Sequence, residues 1–90
     1  MNVKLDRSFE KDTDKLNDRK LLVKIADCID SVKRAKHIDE IADIKKMKGA
    51  PFHYRIRIGN YRMGVVIHGN DVVFERFLHR KDIYKYFPKK

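Results

Sequence analysis

Residues Tyr54–Gly64 read YRIRIGNYRMG, and the alternation inside them decides the fold. Apolar side chains and arginines take turns on both sides of Gly59-Asn60, a two-residue hairpin signal, because glycine accepts positive φ freely and asparagine nearly so. Gly69-Asn70 repeats the signal further along. Two-residue loops at both places fix the pairing. Across the first turn Ile58 faces Tyr61, Arg57 faces Arg62, Ile56 faces Met63 and Arg55 faces Gly64. Across the second, His68 faces Asp71, Val66 faces Val73, Gly64 faces Glu75 and Arg62 faces Phe77.

Successive strand side chains point to opposite faces, so this register sorts the meander. Tyr54, Ile56, Ile58, Tyr61, Met63, Val65, Ile67, Val72, Phe74 and Leu78 form an apolar face that helices must cover. Arg76 breaks that face and marks either a sheet margin or a nearby bulge. Arg55, Arg57, Arg62, Gly64, Glu75, Phe77 and His79 form the other face. Arg57 opposite Arg62 is a like-charge pair that costs sheet stability. Arg55 lies on the same face beside Gly64, which leaves space in place of a side chain. The expected result is a concave cationic spot with a backbone floor, an anion site. The alternative is three solvated arginines balanced by Glu75.

Upstream, Val3 and Leu5 alternate in a short opening strand, and Ser8 is positioned to cap a first helix carrying Phe9 and Leu16. A longer helix is predicted after Asn17 or Asp18, with Leu22, Ile25, Ile29 and Val32 as its apolar stripe and Leu21 and Cys28 flanking it. Cys28 fits there as a small hydrophobe. Ile38, Ile41 and Ile44 suit either a short helical turn or an irregular segment on the core. Lys45, Lys46 and Lys48 precede the turn-forming Gly49-Ala50-Pro51. The predicted architecture is α+β: an N-terminal strand, two helices, then a three-stranded antiparallel meander with the helices on one face. Residues 1–90 are read as a single domain.

Charge is distributed unevenly. Residues 1–44 balance 10 basic against 10 acidic side chains, so the whole net charge of +9 sits in residues 45–90. A basic surface on a neutral scaffold points to polyanions. No apolar run is long enough to span a bilayer, no signal-peptide pattern opens the chain, and a cytoplasmic location is expected. The single cysteine excludes an internal disulfide. His37, His53, His68 and His79 show no metal-binding spacing, so no metal and no cofactor is expected. P-loop, dinucleotide and serine-elbow motifs are absent. Nucleic-acid binding or metal-free chemistry on phosphodiesters remains. The closing FERFLHRKDIYKYFPKK adds His79, Arg80, Lys81 and Tyr84. Tyr84 offers a ring to stack on a base or a hydroxyl for phosphate, whereas Tyr86 and Phe87 are expected to pin the tail.

The order of elements, with MKG ahead of YRIRIGNYRMGVVI and FLHRKDIYKYF closing the chain, resembles the RelE/ParE toxin superfamily of bacterial type II toxin–antitoxin systems. The resemblance runs over nearly the whole chain and is most specific in the two quoted blocks. It implies a toxin that causes growth arrest, in its RelE-like branch a messenger-RNA endoribonuclease (an mRNA interferase) that inhibits translation on the ribosome. The implied chemistry is attack of a ribose 2′-hydroxyl on the adjacent phosphate, leaving a 2′,3′-cyclic phosphate. The branch's RNA-acting positions match Arg55, Arg57, Arg62, Arg80 and Tyr84. Lysine is frequent at the first two in RelE-like enzymes; arginine stays protonated and suits a clamp better than a base. His79 is the candidate base offered by chemistry rather than by family position. Lys45, Lys46, Lys48, Lys81, Lys89 and Lys90 are expected to grip RNA phosphates. The resemblance also implies a cognate antitoxin as partner. ParE-like gyrase inhibition and non-catalytic RNA binding are the alternatives, because the fold is shared.

Overall fold

Five strands, β1 (Asn2–Leu5), β2 (Ile44–Lys46), β3 (His53–Ile58), β4 (Tyr61–His68) and β5 (Asp71–His79), form one sheet in the order β1-β5-β4-β3-β2. The computed structural model describes residues 1–88. Strands β2 to β5 are antiparallel neighbours, and β1 joins β5 in parallel. Helices α1 (Arg7–Asp14) and α2 (Arg19–Arg34) fill the crossover, and a short α3 (Ile83–Tyr86) follows β5. Ile38–Glu40 forms a single 3₁₀ turn, which resolves the isoleucine segment in favour of a helical turn leading into a strand. Among the described residues no helix is long and apolar enough to cross a membrane.

Asp18 caps α2 as expected, accepting from the Leu21 amide. The cap of α1 is Asp6, not Ser8: its carboxylate accepts the Ser8 amide at 3.1 Å. Both residue types cap well, and the helix starts two residues earlier than Ser8 would allow. Phe9, Ile25 and Val32 are buried against Ile56, Met63, Val65, Val72 and Phe74, so the helices cover one sheet face. Leu22 departs from its expected place in the stripe and is 40% exposed.

The first hairpin pairs as read: Ile58 with Tyr61, Arg57 with Arg62, Ile56 with Met63, Arg55 with Gly64. Gly59 and Gly69 take φ of 56° and 60° at the two turns, conformations that L side chains adopt at a cost. The second hairpin starts in the expected register, with His68 opposite Asp71 and Val66 opposite Val73, and then slips. Val65 pairs with Phe74 but Gly64 pairs with Arg76, so Glu75 is an extra residue in β5. A one-residue bulge reverses the faces of everything beyond it. Gly64 therefore does not face Glu75, nor Arg62 Phe77; Arg62 faces Leu78, and Tyr61 faces His79. Phe77 turns into the helix-side core, stacked on Tyr61 at 5.0 Å between ring centroids. Leu78 turns out of it, onto the arginine face, where it packs against a second cluster of Met47, Ile83 and Phe87.

Arg76, the one residue out of pattern, sits at this bulge. Its guanidinium reaches the Asp12 carboxylate at 2.8 and 3.2 Å, and the same carboxylate accepts the Phe77 amide at 2.9 Å. The hydrogen bond to Asp12 is the main reason the guanidinium's pKa is raised. Helix α1 thereby covers the part of β5 that the short β1 leaves unpaired, satisfying an edge amide. Tyr86 lies over the Arg76 guanidinium and is 55% exposed. It does not share Phe87's role in pinning the tail.

Candidate nucleic-acid interface

The second face of the sheet carries the cations. Arg57 and Arg62 are cross-strand partners on it, and Arg55 pairs with Gly64 two residues along. No sequence pattern marks β2 as a strand, because Ile44–Lys46 is too short for alternation to register. Its pairing sets Lys45 opposite Arg55 and Lys46 opposite Tyr54. Adjacent lysines on one strand thus part company. Lys45 joins the arginines, while Lys46 lies over the Tyr54 ring at 5.8 Å and donates to the Ala50 carbonyl.

One cleft is lined by Asp43, Ile44, Lys45, Arg55, Arg57 and Arg62. A second, lined by Lys45, Lys46, Met47, Lys48, Arg55, Tyr84, Phe87 and Pro88, shares Lys45 and Arg55 with it. Arg55 Nε donates to the Tyr84 hydroxyl at 3.0 Å, joining residues 29 apart in sequence. Arg62 is anchored to its own turn, donating to the carbonyls of Gly59 and Tyr61 at 3.0 and 2.9 Å. Its pKa is pushed below the ordinary guanidinium value, first by desolvation and then by the charges of Arg55 and Arg57, with Arg80 adding to them and Tyr84 opposing. Among the described residues no carboxylate pairs with Arg55, Arg62 or Arg80. Concentrated cations of this kind create a positive potential that attracts anions.

Three sequence expectations shift. The gap at Gly64 is filled, since the Phe87 ring lies directly over it. Glu75, displaced by the bulge, is not the balancing carboxylate. His79 shares the Tyr61 face, with rings 5.5 Å apart, and its Nδ1 accepts the Lys81 amide. It lies on the face opposite Arg62, so the register that recommended it as the base does not hold. Lys81 is exposed beyond it, and Lys89 and Lys90 lie outside the described residues.

Asp43 was missed. It has a left-handed φ of 60°, its carbonyl accepts the Arg57 amide at 3.2 Å, and its carboxylate stands 3.9 Å from the Arg57 guanidinium. Its position directly ahead of the Ile44-Lys45-Lys46 run was the available signal. Among the described residues no three His, Cys, Asp or Glu side chains gather as a metal-ligand set.

A family model described as the ParE toxin of type II toxin–antitoxin systems matches residues 3–84. The chain belongs to this toxin family. Toxin RelE3 from Methanocaldococcus jannaschii is 59% identical over 46 residues, which is 51% of this chain and 52% of that protein. The chain thus matches about half the length of this curated relative. The crystal structure of a RelB–RelE antitoxin–toxin complex from Methanococcus jannaschii superposes with a TM-score of 0.78 at 37% identity, over 93% of this chain and 98% of that one. The YoeB dimer from Staphylococcus aureus shares the fold at 19% identity, with a TM-score of 0.71 over 89% of this chain and 97% of that one. The α+β frame is thus shared with the RelE/ParE superfamily, and in this chain one face of it carries the arginines of β3 and β4.

Proposed function

We propose that this toxin-family chain is a RelE-like endoribonuclease that cleaves messenger RNA on the ribosome. The observation that carries the reading is the convergence of Arg55, Arg57 and Arg62 on one face, with the Tyr84 hydroxyl on Arg55 at 3.0 Å and Arg80 just past the end of β5. Attack of a 2′-hydroxyl on its own phosphate needs alignment of the attacking oxygen and neutralisation of growing negative charge, both of which positioned guanidinium groups supply. Arg57 and Arg62, side by side across the hairpin, hold the scissile phosphate. Arg55 binds the substrate backbone and the charge of the transition state. Arg80 supports the leaving oxygen, and Tyr84 stacks on the base beside the cut. Lys45 and Lys48, at the rim, grip flanking phosphates.

A cognate antitoxin is the proposed partner. Its acidic segment would fold over the basic cleft and over α2, where Leu22 and Val23 are 40% and 54% exposed. The ParE name of the matching family model favours a second reading, inhibition of gyrase. Translation extracts separate the two. Wild-type protein should cut messages and Arg62→Ala should leave them intact, with RNA ends mapping to a 2′,3′-cyclic phosphate. Intact messages combined with loss of supercoiling activity would select the gyrase reading.

A further inference from the structure

One ring and one missing side chain hold the tail on the cationic face. A Cβ built on Gly64 would fall 2.6, 2.7 and 2.8 Å from three atoms of the Phe87 ring. Gly64 has no left-handed φ, so glycine stands there for room and not for backbone freedom. Phe87 is 1% exposed and closes the small cluster with Met47 and Ile83. Both walls of the second cleft grow out of that cluster. Tyr84 follows Ile83 directly in α3, and Lys48 follows Met47 just beyond β2. Tyr84 itself is 63% exposed, so its own burial does little to fix its place.

We propose that Gly64 and Phe87 form a socket and plug that position Tyr84 against Arg55. Both act through α3, since Gly64 has no side chain and Phe87 is buried beneath the second cleft. The plug sets how close the tail approaches β4, and that approach decides whether the Tyr84 hydroxyl reaches Arg55 Nε. The inference about activity rests on the cleft being the RNA-processing site, whereas the docking itself does not.

The test is Gly64→Ala, read twice. Amide exchange at Phe87, whose N–H is bonded to the Ile83 carbonyl at 2.8 Å, reports docking. It should speed up by about tenfold or more while the amides of β3 to β5 keep their protection. Message cleavage should fall on the order of tenfold to a hundredfold, the scale of an ångström-sized misplacement. Phe87→Leu in the same chain, a smaller plug for the narrowed socket, should restore both readouts. Phe87→Ala, which leaves β4 unaltered, should reproduce the loss and serves if Gly64→Ala does not fold. In a Tyr84→Phe background Gly64→Ala should subtract little more from cleavage. Unchanged protection of the amide at position 87 in both variants overturns the proposal, and so do losses that simply multiply with Tyr84→Phe. If wild-type protein cuts no message, the functional reading fails, while exchange and its rescue by Phe87→Leu still decide the socket.

Discussion

On its helix-covered face the sheet buries Phe9, Ile25 and Val32 against Ile56, Met63, Val65, Val72, Phe74 and Phe77. On its other face the buried residues are Met47, Ile83 and Phe87, beside Arg55, Arg57 and Arg62. A guanidinium cannot be enclosed cheaply without a partner, so a face that carries free arginines must stay open and can hold only a small apolar cluster. Burial on the first face supplies stability. The second face gives some of it up to opposed like charges, and holds the arginines that the proposed function assigns to phosphate. Substitutions should therefore divide by face, those on the helix side changing whether the chain folds and those on the cation side changing what the folded chain does.

The largest effect is expected from Phe74→Ala. Phe74 is fully buried and meets Phe9 edge-on at 5.4 Å; removing a core ring of this kind costs about 3–5 kcal/mol. In a 90-residue chain that is a large share of a total stability on the order of 5–15 kcal/mol, and urea unfolding should show it as a collapsed midpoint. Ile83→Ala is the matched probe on the other face. It should free the tail by local opening and leave the main urea transition almost in place. Equal shifts from both would erase the distinction between the faces.

Arg62→Ala should reverse that order. Cleavage is expected to fall by about 10²-fold or more, the scale for removing one charge-stabilising donor from a reacting phosphate. Stability should hold or rise slightly, because Arg57 loses a like-charged neighbour directly across the hairpin. A fall in unfolding midpoint comparable to that of Phe74→Ala would show that Arg62 is a structural residue. Cleavage rates and thermal midpoints measured on the same preparation decide it.

Asp12 sharpens the boundary between the faces, since it holds the bulge that divides β5. Its side chain is 8% exposed and serves both Arg76 and the Phe77 amide. Asp12→Ala leaves both without an acceptor and should cost about 2 kcal/mol, the lower part of the range because Arg76 keeps access to water. Asp12→Asn keeps an acceptor for the amide and should cost about half as much. Chemical denaturation of the pair tests whether the bulge is held by charge or by the hydrogen bond to the backbone.

The same bulge explains where sequence reading failed. Alternation fixed the Gly59-Asn60 hairpin residue by residue, because nothing interrupts it between Tyr54 and Val65. Beyond Glu75 every face assignment inverted, although Arg76 among apolar neighbours was the visible warning. Phe77 and Leu78 are both apolar and equally content on either face, so their identities could not reveal the slip. That single residue put His79 on the Tyr61 face, away from the arginines. The pairing of β2, the left-handed Asp43 and the contact of Phe87 with Gly64 are tertiary facts that no local pattern encodes. The grouping of Arg55, Arg57 and Arg62 was legible from the hairpin register, and the frame brings Tyr84 to Arg55.

Cys28 gives the smallest effect, and tests how well the helix side excludes water where it meets the cation side. It is half-buried on α2, and burial, aided by the nearby Asp43 charge, raises its thiol pKa to about 11. An unfolded thiol ionises near pH 8.5. The folded state therefore keeps a proton that the unfolded state releases, so stability falls as pH rises from about 8.5 to about 11 and is unaffected by this group at neutral pH. At pH 8 the native chain should react with iodoacetamide much more slowly than the urea-unfolded chain. Cys28→Ser should flatten the alkaline decline in stability. Because Asp43 is part of the cause, Asp43→Asn should lower the thiol pKa slightly and speed alkylation, linking the groove under α2 to the loop that holds Arg57. An unchanged rate in Asp43→Asn would assign the whole shift to burial and separate the two faces at that point.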